Sequence, residues 1–257
     1  MSRPIRTLTL ALMALVGVEV VLIALDAAFP PDLGRGERSS PVALDRNGAW
    51  LRALSVEHGR WRVRADLDRT DPVFLQRLTV VEDAHFALHP GVDPLAVIRA
   101  AGVAALTGHI RSGASTLTMQ TARLLEPRPR TFLSKVIEAG RALQLEARFS
   151  KRRILALYLT LAPYGGNLEG VRAASLAYFG HEPSSLTDGE QALLIALPQS
   201  PEARRPDRKP VAARAARARV LEKLQRLGAL SPAAAEEAAS LSSRACIGAS
   251  RVVVTDA

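Results

Sequence analysis

The sequence predicts a mainly α-helical protein with a small β appendage and an N-terminal transmembrane helix. Alanine, leucine and charged residues alternate with helical spacing from about residue 71 onward. Residues 7–25 form an apolar run that only Glu19 interrupts. At about 1.5 Å of rise per residue, this run matches the hydrocarbon core of a bilayer. Between residues 41 and 67 apolar and polar residues alternate, which is typical of short strands.

The N-terminal segment also carries an orientation signal. Arg3 and Arg6 precede the apolar run, so the positive-inside rule predicts a cytoplasmic N-terminus with the remaining chain across the membrane. No small-residue cleavage site closes the run, and we therefore expect a retained anchor and stub over residues 1–28. Residues 29–40 are rich in Pro, Gly and Ser, which predicts a linker.

The remaining chain is predicted to hold a small β-rich segment (41–70), a helical domain (71–228) and a low-complexity tail (229–257). The dipeptides Asn47-Gly48 and His58-Gly59 are turn signals between the strands. Apolar periodicity predicts helices over residues 72–87, 94–106, 117–125, 132–149, 154–161, 168–178, 188–196 and 211–227.

N-cap signals mark the beginning of two of these helices. Ser150 is predicted to cap the helix that contains residues 154–161. Thr187 and Glu190 have the spacing of a capping box, in which each side chain binds the other residue's backbone N–H. These signals are local, so we expect them to hold in any fold.

Charge and cysteine content narrow the function classes. The formal net charge is +9, which indicates an anionic partner. The arginines lie in alanine-rich segments that are predicted to be helical. No zinc-finger spacing or aromatic RNA-binding signature accompanies them, so we predict no nucleic-acid binding. Cys246 is the single cysteine, which excludes an internal disulfide and a cysteine-rich zinc site.

Residues 81–125 carry the strongest chemical signal. The acidic pair Glu82-Asp83 is followed about thirty residues later by the hydroxyl-rich turn Ser115-Thr116, and then by Gln120 and Arg123 on a predicted helix. A carboxylate serves as a general base, and hydroxyl, amide and guanidinium groups bind anions. The combination suits chemistry on a polar, anionic substrate.

Two other motifs occur in this stretch. Gly108 and Gly113 have P-loop spacing, but Ala114 stands where the essential lysine would be, which argues against nucleotide binding. His85 and His89 are four residues apart and would face one metal ion from a helix. Because Pro90 follows and no third ligand has a signature, capping or core roles are favoured for both.

Five motifs occur in an order and spacing that closely resemble glycosyltransferase family 51, the peptidoglycan glycosyltransferase domain of class A penicillin-binding proteins. They are EDAHF, HPGVD, GASTLTMQTARLL, SKVIEAGRALQLEARFSKRRILALYL and YGGNLEGVRAASLAYFG. The resemblance runs from about Pro41 to Leu227. It implies a helical, lysozyme-like fold.

The resemblance also implies an activity and a location. A family member polymerises lipid II into glycan strands, with inversion at the anomeric carbon and release of undecaprenyl pyrophosphate. The implied partners are lipid II, the growing strand, the cytoplasmic membrane and other cell-wall synthesis proteins. The implied location is the bacterial inner membrane, crossed once, with the catalytic domain on the periplasmic or extracellular side.

Site residues follow from matching positions in the family motifs. Glu82 lies at the position of the catalytic base, and Asp83, Phe86 and His89 are implied as substrate-binding residues that shape its surroundings. Ser115, Thr116 and Gln120 match the donor-substrate positions.

Cationic positions follow in the same way. Arg123 stands where many members carry lysine, and Lys135 and Glu138 match a second essential cluster. Glu138 is implied to position the pyrophosphate side, and a divalent metal (Mg²⁺ or Mn²⁺) is left open as its mediator. Arg141, on the same helix, is predicted to bind the substrate; the alternative is a surface charge on an amphipathic helix.

The chain departs from the family pattern at Ala114, Ser134 and Thr160, where many members have glycine, arginine and asparagine. No Ser-x-x-Lys motif of a transpeptidase is present, so a monofunctional or truncated chain is expected. Two alternatives remain. One is a glycan-cleaving lytic transglycosylase, which shares a lone catalytic glutamate; the other is a truncated, catalytically weak membrane-anchored scaffold.

Overall fold

A computed structural model describes residues 26–44, 46, 50–107 and 115–240, together with positions 9, 13, 16, 17, 20, 23 and 24. The chain divides into two compact units, residues 1–32 and 33–257. None of the helices in the described part of the chain is long and apolar enough to cross a membrane. Most of the predicted anchor (7–25), the Asn47-Gly48 turn and the tail beyond residue 240 lie outside the described residues.

The second unit is built mainly from helices, with short strands between them. In chain order its N-terminal half contains α1 (Gly34–Glu37), β1 (Val42–Leu44), β2 (Trp50–Ala53), β3 (Trp61–Arg62), α2 (Pro72–Glu82) and α3 (Pro94–Thr107). There follow α4 (Leu117–Leu125), α5 (Phe132–Arg148), α6 (Lys151–Leu161), β4 (Pro163–Gly165), β5 (Leu168–Glu169), α7 (Val171–Tyr178), α8 (Asp188–Ala196), α9 (Pro210–Arg226) and α10 (Pro232–Ser240). The prediction of a mainly helical fold is confirmed.

The strands form two small sheets. Strands β1 and β2 pair antiparallel. Strand β5 lies between β3, to which it is parallel, and β4, to which it is antiparallel. Since β3 comes from the predicted β segment and β5 from the helical part, this sheet fastens the two together. The His58-Gly59 turn signal holds: these residues have φ angles of 58° and 71°.

Local signals set several helix ends. Helices α4 and α8 begin and end at the predicted residues. The capping box of Thr187 and Glu190 is formed. Ser150 accepts the backbone N–H of Arg153, so its helix begins at Lys151, three residues before the predicted range.

Other predictions of secondary structure were wrong. Helix α2 ends at Glu82 instead of residue 87, because the Asp83 backbone leaves the helical region (φ −160°, ψ 76°). The predicted helix at 168–178 begins as strand β5 and turns at Gly170, whose φ is +91°. Part of the predicted tail forms α10, in which Ala235 and Ala238 are buried.

The predicted linker also contains ordered structure. Gly36 of α1 is buried, and an added Cβ there would lie 2.8 Å from Leu157 Cδ2. Arg35 forms an ion pair of 2.5 Å with Glu169 and donates to the backbone oxygen of Leu124 at 3.0 Å. This segment is therefore packed against α4, α6 and β5.

The hydrophobic core surrounds α8. Side chains of Leu193, Leu194 and Ile195 pack with those of Phe74 and Leu78 of α2, all almost completely buried. Burial of such a side chain stabilises the fold by about 1.5–3 kcal/mol. The core thus fixes the position of α2, whose last residue is Glu82.

Candidate active site

Glu82 is held from two sides by glutamines. Gln120 Nε2 on α4 donates to Glu82 Oε2 at 3.2 Å. Gln199 Nε2, in the turn after α8, donates to Glu82 Oε1 at 2.7 Å. The carboxylate is half-buried, so one side of it remains open to solvent. A carboxylate fixed in this way presents a defined lone pair to a group entering from that side.

Sequence reasoning missed Gln199 and the residue that holds it. Arg204 Nη1 donates to Gln199 Oε1 at 3.2 Å and to the backbone oxygen of Ala196 at 2.7 Å. Burial and the nearby Arg219 lower the pKa of the Arg204 guanidinium, and the charge of Glu82 opposes them. Gln199 is 117 residues from Glu82, so no spacing signal linked the two.

The floor beneath Glu82 is aromatic and buried. Burial raises the pKa of the Tyr158 and Tyr164 hydroxyls, and the negative charge of Glu82 acts in the same direction. These tyrosines stay neutral at physiological pH. Behind the site, Lys223 Nζ of α9 donates to the backbone oxygen of Val81 at 2.5 Å, a cation at the C-terminal end of α2.

Asp83 is buried and faces the protein interior. Its Oδ2 accepts the backbone N–H of Leu117 at 2.8 Å, and His89 Nε2 lies 3.0 and 3.1 Å from its two oxygens. His89 Nδ1 accepts the backbone N–H of Gly91 at 3.2 Å, which leaves the proton of the ring on Nε2. Asp83 therefore joins the end of α2 to the start of α4.

Phe86 and Thr116 complete this buried layer. The Phe86 ring lies edge-on to His89, with 6.5 Å between ring centroids, and Lys151 Nζ is 4.7 Å from the Phe86 centroid. Thr116 caps α4 by accepting the N–H of Met119 and donates its own hydroxyl to the backbone oxygen of Gly91 at 2.5 Å. The Thr116 hydroxyl is thus fully used within the protein.

Ser115 differs from its neighbour. Its side chain is half-buried, and it makes no hydrogen bond to any residue in the described ranges. Gly108, Gly113 and Ala114 of the same loop lie outside the described residues.

Glu138 lies on the buried face of α5 among cations. Burial raises the pKa of its carboxyl group, while the charges of Arg123, Lys135, Arg128 and Arg130 oppose that rise. No hydrogen bond or ion pair joins its carboxylate to the described part of the chain. The side chains of Arg123 and Lys135 likewise have no such partner there, so these cations are available to an anion.

Arg141 makes polar contacts inside the protein. Its guanidinium lies 3.2 Å from Glu126 and 2.8 Å from Gln144 Oε1. Its charge is therefore partly neutralised inside the protein.

Two departures from the family pattern have internal roles. Ser134 is buried, and its hydroxyl lies 2.9 Å from that of Thr131, the N-cap of α5. Thr160 accepts the backbone N–H of Ala65 at 3.0 Å and donates to the oxygen of Ala156 at 2.7 Å.

The donor set does not fit a resident divalent cation. Within the described ranges no three His, Cys, Asp or Glu residues cluster as a metal site. His85 pairs with Asp93 at 3.0 Å, and His89 with Asp83, so the histidines do not share a ligand position. Glu138 offers one carboxylate surrounded by positive charge, which repels a metal ion. No reaction step is assigned to a metal.

Helix α4 connects the two halves of the site. Gln120 and Arg123 are three residues apart and so lie on one face of the helix. Gln120 contacts Glu82, and the charge of Arg123 acts on Glu138. One helix face thus lines a carboxylate at one end and a cationic cluster at the other.

Comparisons with known proteins show the family of the chain. A family model described as Transglycosylase matches residues 47–225. Penicillin-binding protein 1C of Escherichia coli (strain K12) is 47% identical over 183 residues, which are 71% of this chain and 24% of that protein. The biosynthetic peptidoglycan transglycosylase of Klebsiella oxytoca is 35% identical over 193 residues, 74% of this chain and 78% of that protein.

A solved structure, the 2.6 Å crystal structure of penicillin-binding protein 1A from Haemophilus influenzae, aligns with a TM-score of 0.44 and 16% identity, over 82% of this chain and 20% of that one. The chain spans about a quarter of the length of the penicillin-binding protein 1C that it matches. The family match covers well over half of the chain, which confirms the resemblance seen in the motifs. The chain belongs to the transglycosylase family.

Proposed function

We propose that this chain is a peptidoglycan glycosyltransferase that polymerises lipid II into glycan strands. The observation that carries the proposal is the face of α4. It lines Glu82, a fixed carboxylate with one open side, and lies beside Arg123 and Lys135 near Glu138, two cations with no ion-pair partner among the described residues. A glycosyl transfer from a pyrophosphate needs a base at one end and positive charge at the other.

In the proposed reaction Glu82 is the general base. The 4-hydroxyl of the acceptor sugar attacks the anomeric carbon of the donor from the face opposite the pyrophosphate. Glu82 takes the hydroxyl proton, the bond from the anomeric carbon to the pyrophosphate oxygen breaks, and undecaprenyl pyrophosphate leaves. The α linkage becomes β. General base catalysis typically contributes about 10²–10⁴ in rate.

Arg123 and Lys135 are proposed to bind the departing pyrophosphate. Neither side chain has an internal ion pair in the described ranges, so neither must break one to bind the substrate. The arginine fork suits a bidentate contact with phosphate oxygens. Ser115 would add a hydroxyl donor, and Glu138 would orient the cations around it. Because Arg141 is paired with Glu126, we expect it to contribute less.

Asp83, Phe86, His89 and Thr116 are proposed to act on the site from behind. Their polar atoms are engaged inside the protein. Their contribution is to hold Glu82 and α4 at a fixed separation, and preorganisation of this kind lowers the barrier without contact to the substrate.

Exposed apolar side chains support a substrate carried by a lipid. On α5, Val136 is 53% exposed, and Phe132 and Leu133 are 80% and 67% exposed. On α3, Leu95 and Ile98 are 65% and 68% exposed. Apolar groups in such number usually mark an interaction surface. We propose that these helices face the bacterial inner membrane, which residues 7–25 would cross once.

The test is lipid II polymerisation by purified protein in detergent, with and without Mg²⁺ or a chelator. The wild type is expected to make long strands, and Glu82→Gln to lose at least 10²-fold in rate. Glu236→Gln, an exposed change on α10, is the matched control and should keep full activity. If folded wild type leaves lipid II intact, the scaffold alternative replaces the proposal. If it instead releases soluble anhydro-sugars from strands, the glycan-cleaving alternative does.

A further inference from the structure

The amide of Gln199 lies between two opposite charges. Its Nε2 donates to Glu82 Oε1 at 2.7 Å, and its Oε1 accepts from Arg204 Nη1 at 3.2 Å. The guanidinium does not itself form an ion pair with Glu82 in the structure. Arg204 is also anchored, because the same nitrogen donates to the backbone oxygen of Ala196 at the end of α8.

A glutamine side-chain amide keeps nearly the same shape when a 180° rotation exchanges its oxygen and its NH₂ group. The oxygen accepts hydrogen bonds and the NH₂ group donates them. A half-turn of Gln199 would place its oxygen against the Glu82 carboxylate and its NH₂ group against the Arg204 guanidinium. Since Arg204 only donates and an ionised carboxylate only accepts, both contacts would be repulsive. The two charged partners thus select one orientation of the amide. Gln199 itself is exposed.

We propose that Arg204 is a positioning residue for Glu82 that acts through the side-chain amide of Gln199. A direct arginine–glutamate ion pair would occupy the carboxylate with a charged donor. The intervening amide fixes Oε1 and leaves Oε2, with the longer 3.2 Å bond to Gln120, for the acceptor hydroxyl. The role in turnover rests on the proposed function; the contact itself does not.

The competing reading is that Arg204 binds the anionic substrate directly. The two readings differ in kinetics. Loss of a positioning residue lowers kcat with little change in KM, because the substrate keeps its contacts but meets a misplaced base. Loss of a substrate contact raises KM.

The kinetic experiment uses full-length chain and lipid II. Arg204→Met keeps the side-chain length without a donor, and we expect about a tenfold fall in kcat with KM within about twofold. Gln199→Ala should have a similar effect. In the double variant the two falls in kcat should not multiply, because both changes break the same pair of hydrogen bonds, from Arg204 to Gln199 and from Gln199 to Glu82. Arg204→Lys, which keeps a donor, should restore part of kcat. Arg69→Ala, an exposed arginine near the start of α2, is the control for loss of charge.

Multiplied effects in the double variant, a change confined to KM, or an Arg204→Met enzyme as active as Arg69→Ala would overturn the proposal. Melting curves of every variant show whether a fall in kcat reflects loss of the folded state.

A second measurement does not depend on turnover. The side-chain amide resonances of Gln199 in ¹H–¹⁵N spectra, assigned by their loss in Gln199→Ala, should shift in Arg204→Met and in Glu82→Gln but not in Arg69→Ala. Resonances unchanged by Arg204→Met would show that Arg204 does not hold the Gln199 amide. If lipid II is not polymerised at all but these shifts occur, the proposed function fails and the positioning contact stands.

Discussion

The Asp83 carboxylate accepts the backbone N–H of Leu117, the first residue of α4, at 2.8 Å. Asp83 directly follows Glu82, and Gln120 lies one turn into α4. This one hydrogen bond between residues 34 apart therefore sets the distance between the carboxylate and its glutamine partner. It also explains why α2 ends where it does: the backbone at Asp83 turns out of the helix to aim the side chain at α4.

Asp83→Asn is predicted to weaken both the fold and the site. The amide keeps one acceptor oxygen, and the NH₂ group that replaces the other carboxylate oxygen faces the N–H of Leu117 or of His89, so one buried N–H loses its acceptor or the NH₂ group has none. We expect a loss of about 1–3 kcal/mol in the free energy of unfolding, measured with urea, and a lower kcat. Asp68→Asn, at an exposed ion pair with Arg152, should change stability by less than about 1 kcal/mol. Equal losses of unfolding free energy in the two variants would show that the contacts of Asp83 with Leu117 and His89 do not stabilise the fold.

Gln120→Glu is predicted to be worse than Gln120→Ala. The alanine removes one donor from Glu82, and we expect about a tenfold fall in kcat. The glutamate places a second carboxylate beside the first, and two such groups do not both ionise readily. The rate should then rise only at higher pH than in wild type. A pH–rate profile tests this, with Gln76→Glu on the exposed face of α2 as the control. An unchanged profile would argue against contact between these side chains.

Glu138→Gln is predicted to stabilise the protein while reducing activity. Burial raises the pKa of Glu138 above its ordinary value of 4.5. The folded state therefore holds the proton more tightly than the unfolded state, and stability falls as pH rises from 4.5 through the raised pKa. At pH 7 the variant escapes that cost, so we expect Tm to rise by about 1–3 °C. Below pH 4.5 the difference should vanish. A lower Tm at pH 7 would show that the surrounding cations dominate.

Gly91→Ala is predicted to disrupt the layer beneath the site. Gly91 has φ +99°, and an added Cβ would lie 2.7 Å from the backbone oxygen of Ala142 on α5. Gly180 has φ +82° with nothing within 4 Å of an added Cβ. Gly180→Ala is therefore expected to lose about 1–2 kcal/mol of unfolding free energy, from backbone strain alone. Gly91→Ala adds a clash with the main chain and should lose more. Urea unfolding should rank the two accordingly, and only Gly91→Ala should lose activity. Equal stability losses would mean that α5 shifts away from the added Cβ without loss of stability.

Tertiary contacts decide which face of α5 is buried. Helix α5 buries Glu138, Ala142 and Leu145, whereas the apolar side chains of Val136 and Leu143 are exposed. Periodicity gives the spacing of a face but not the element that covers it. Here the covered face meets the cationic cluster and α4, and Val136 and Leu143 are left exposed.

The sequence by itself determined the helical class, the family and the features that depend on neighbours along the chain. The capping box of Thr187 and Glu190 and the bounds of α4 belong to this group, because their partners lie within a few residues. Only the tertiary structure decided where α2 ends and what holds Glu82. The contact between Gln199 and Glu82 joins residues 117 apart, and Lys223 of α9 donates to the backbone oxygen of Val81. Neither leaves a local pattern, because the core that packs α2 against α8 and α9 creates the proximity.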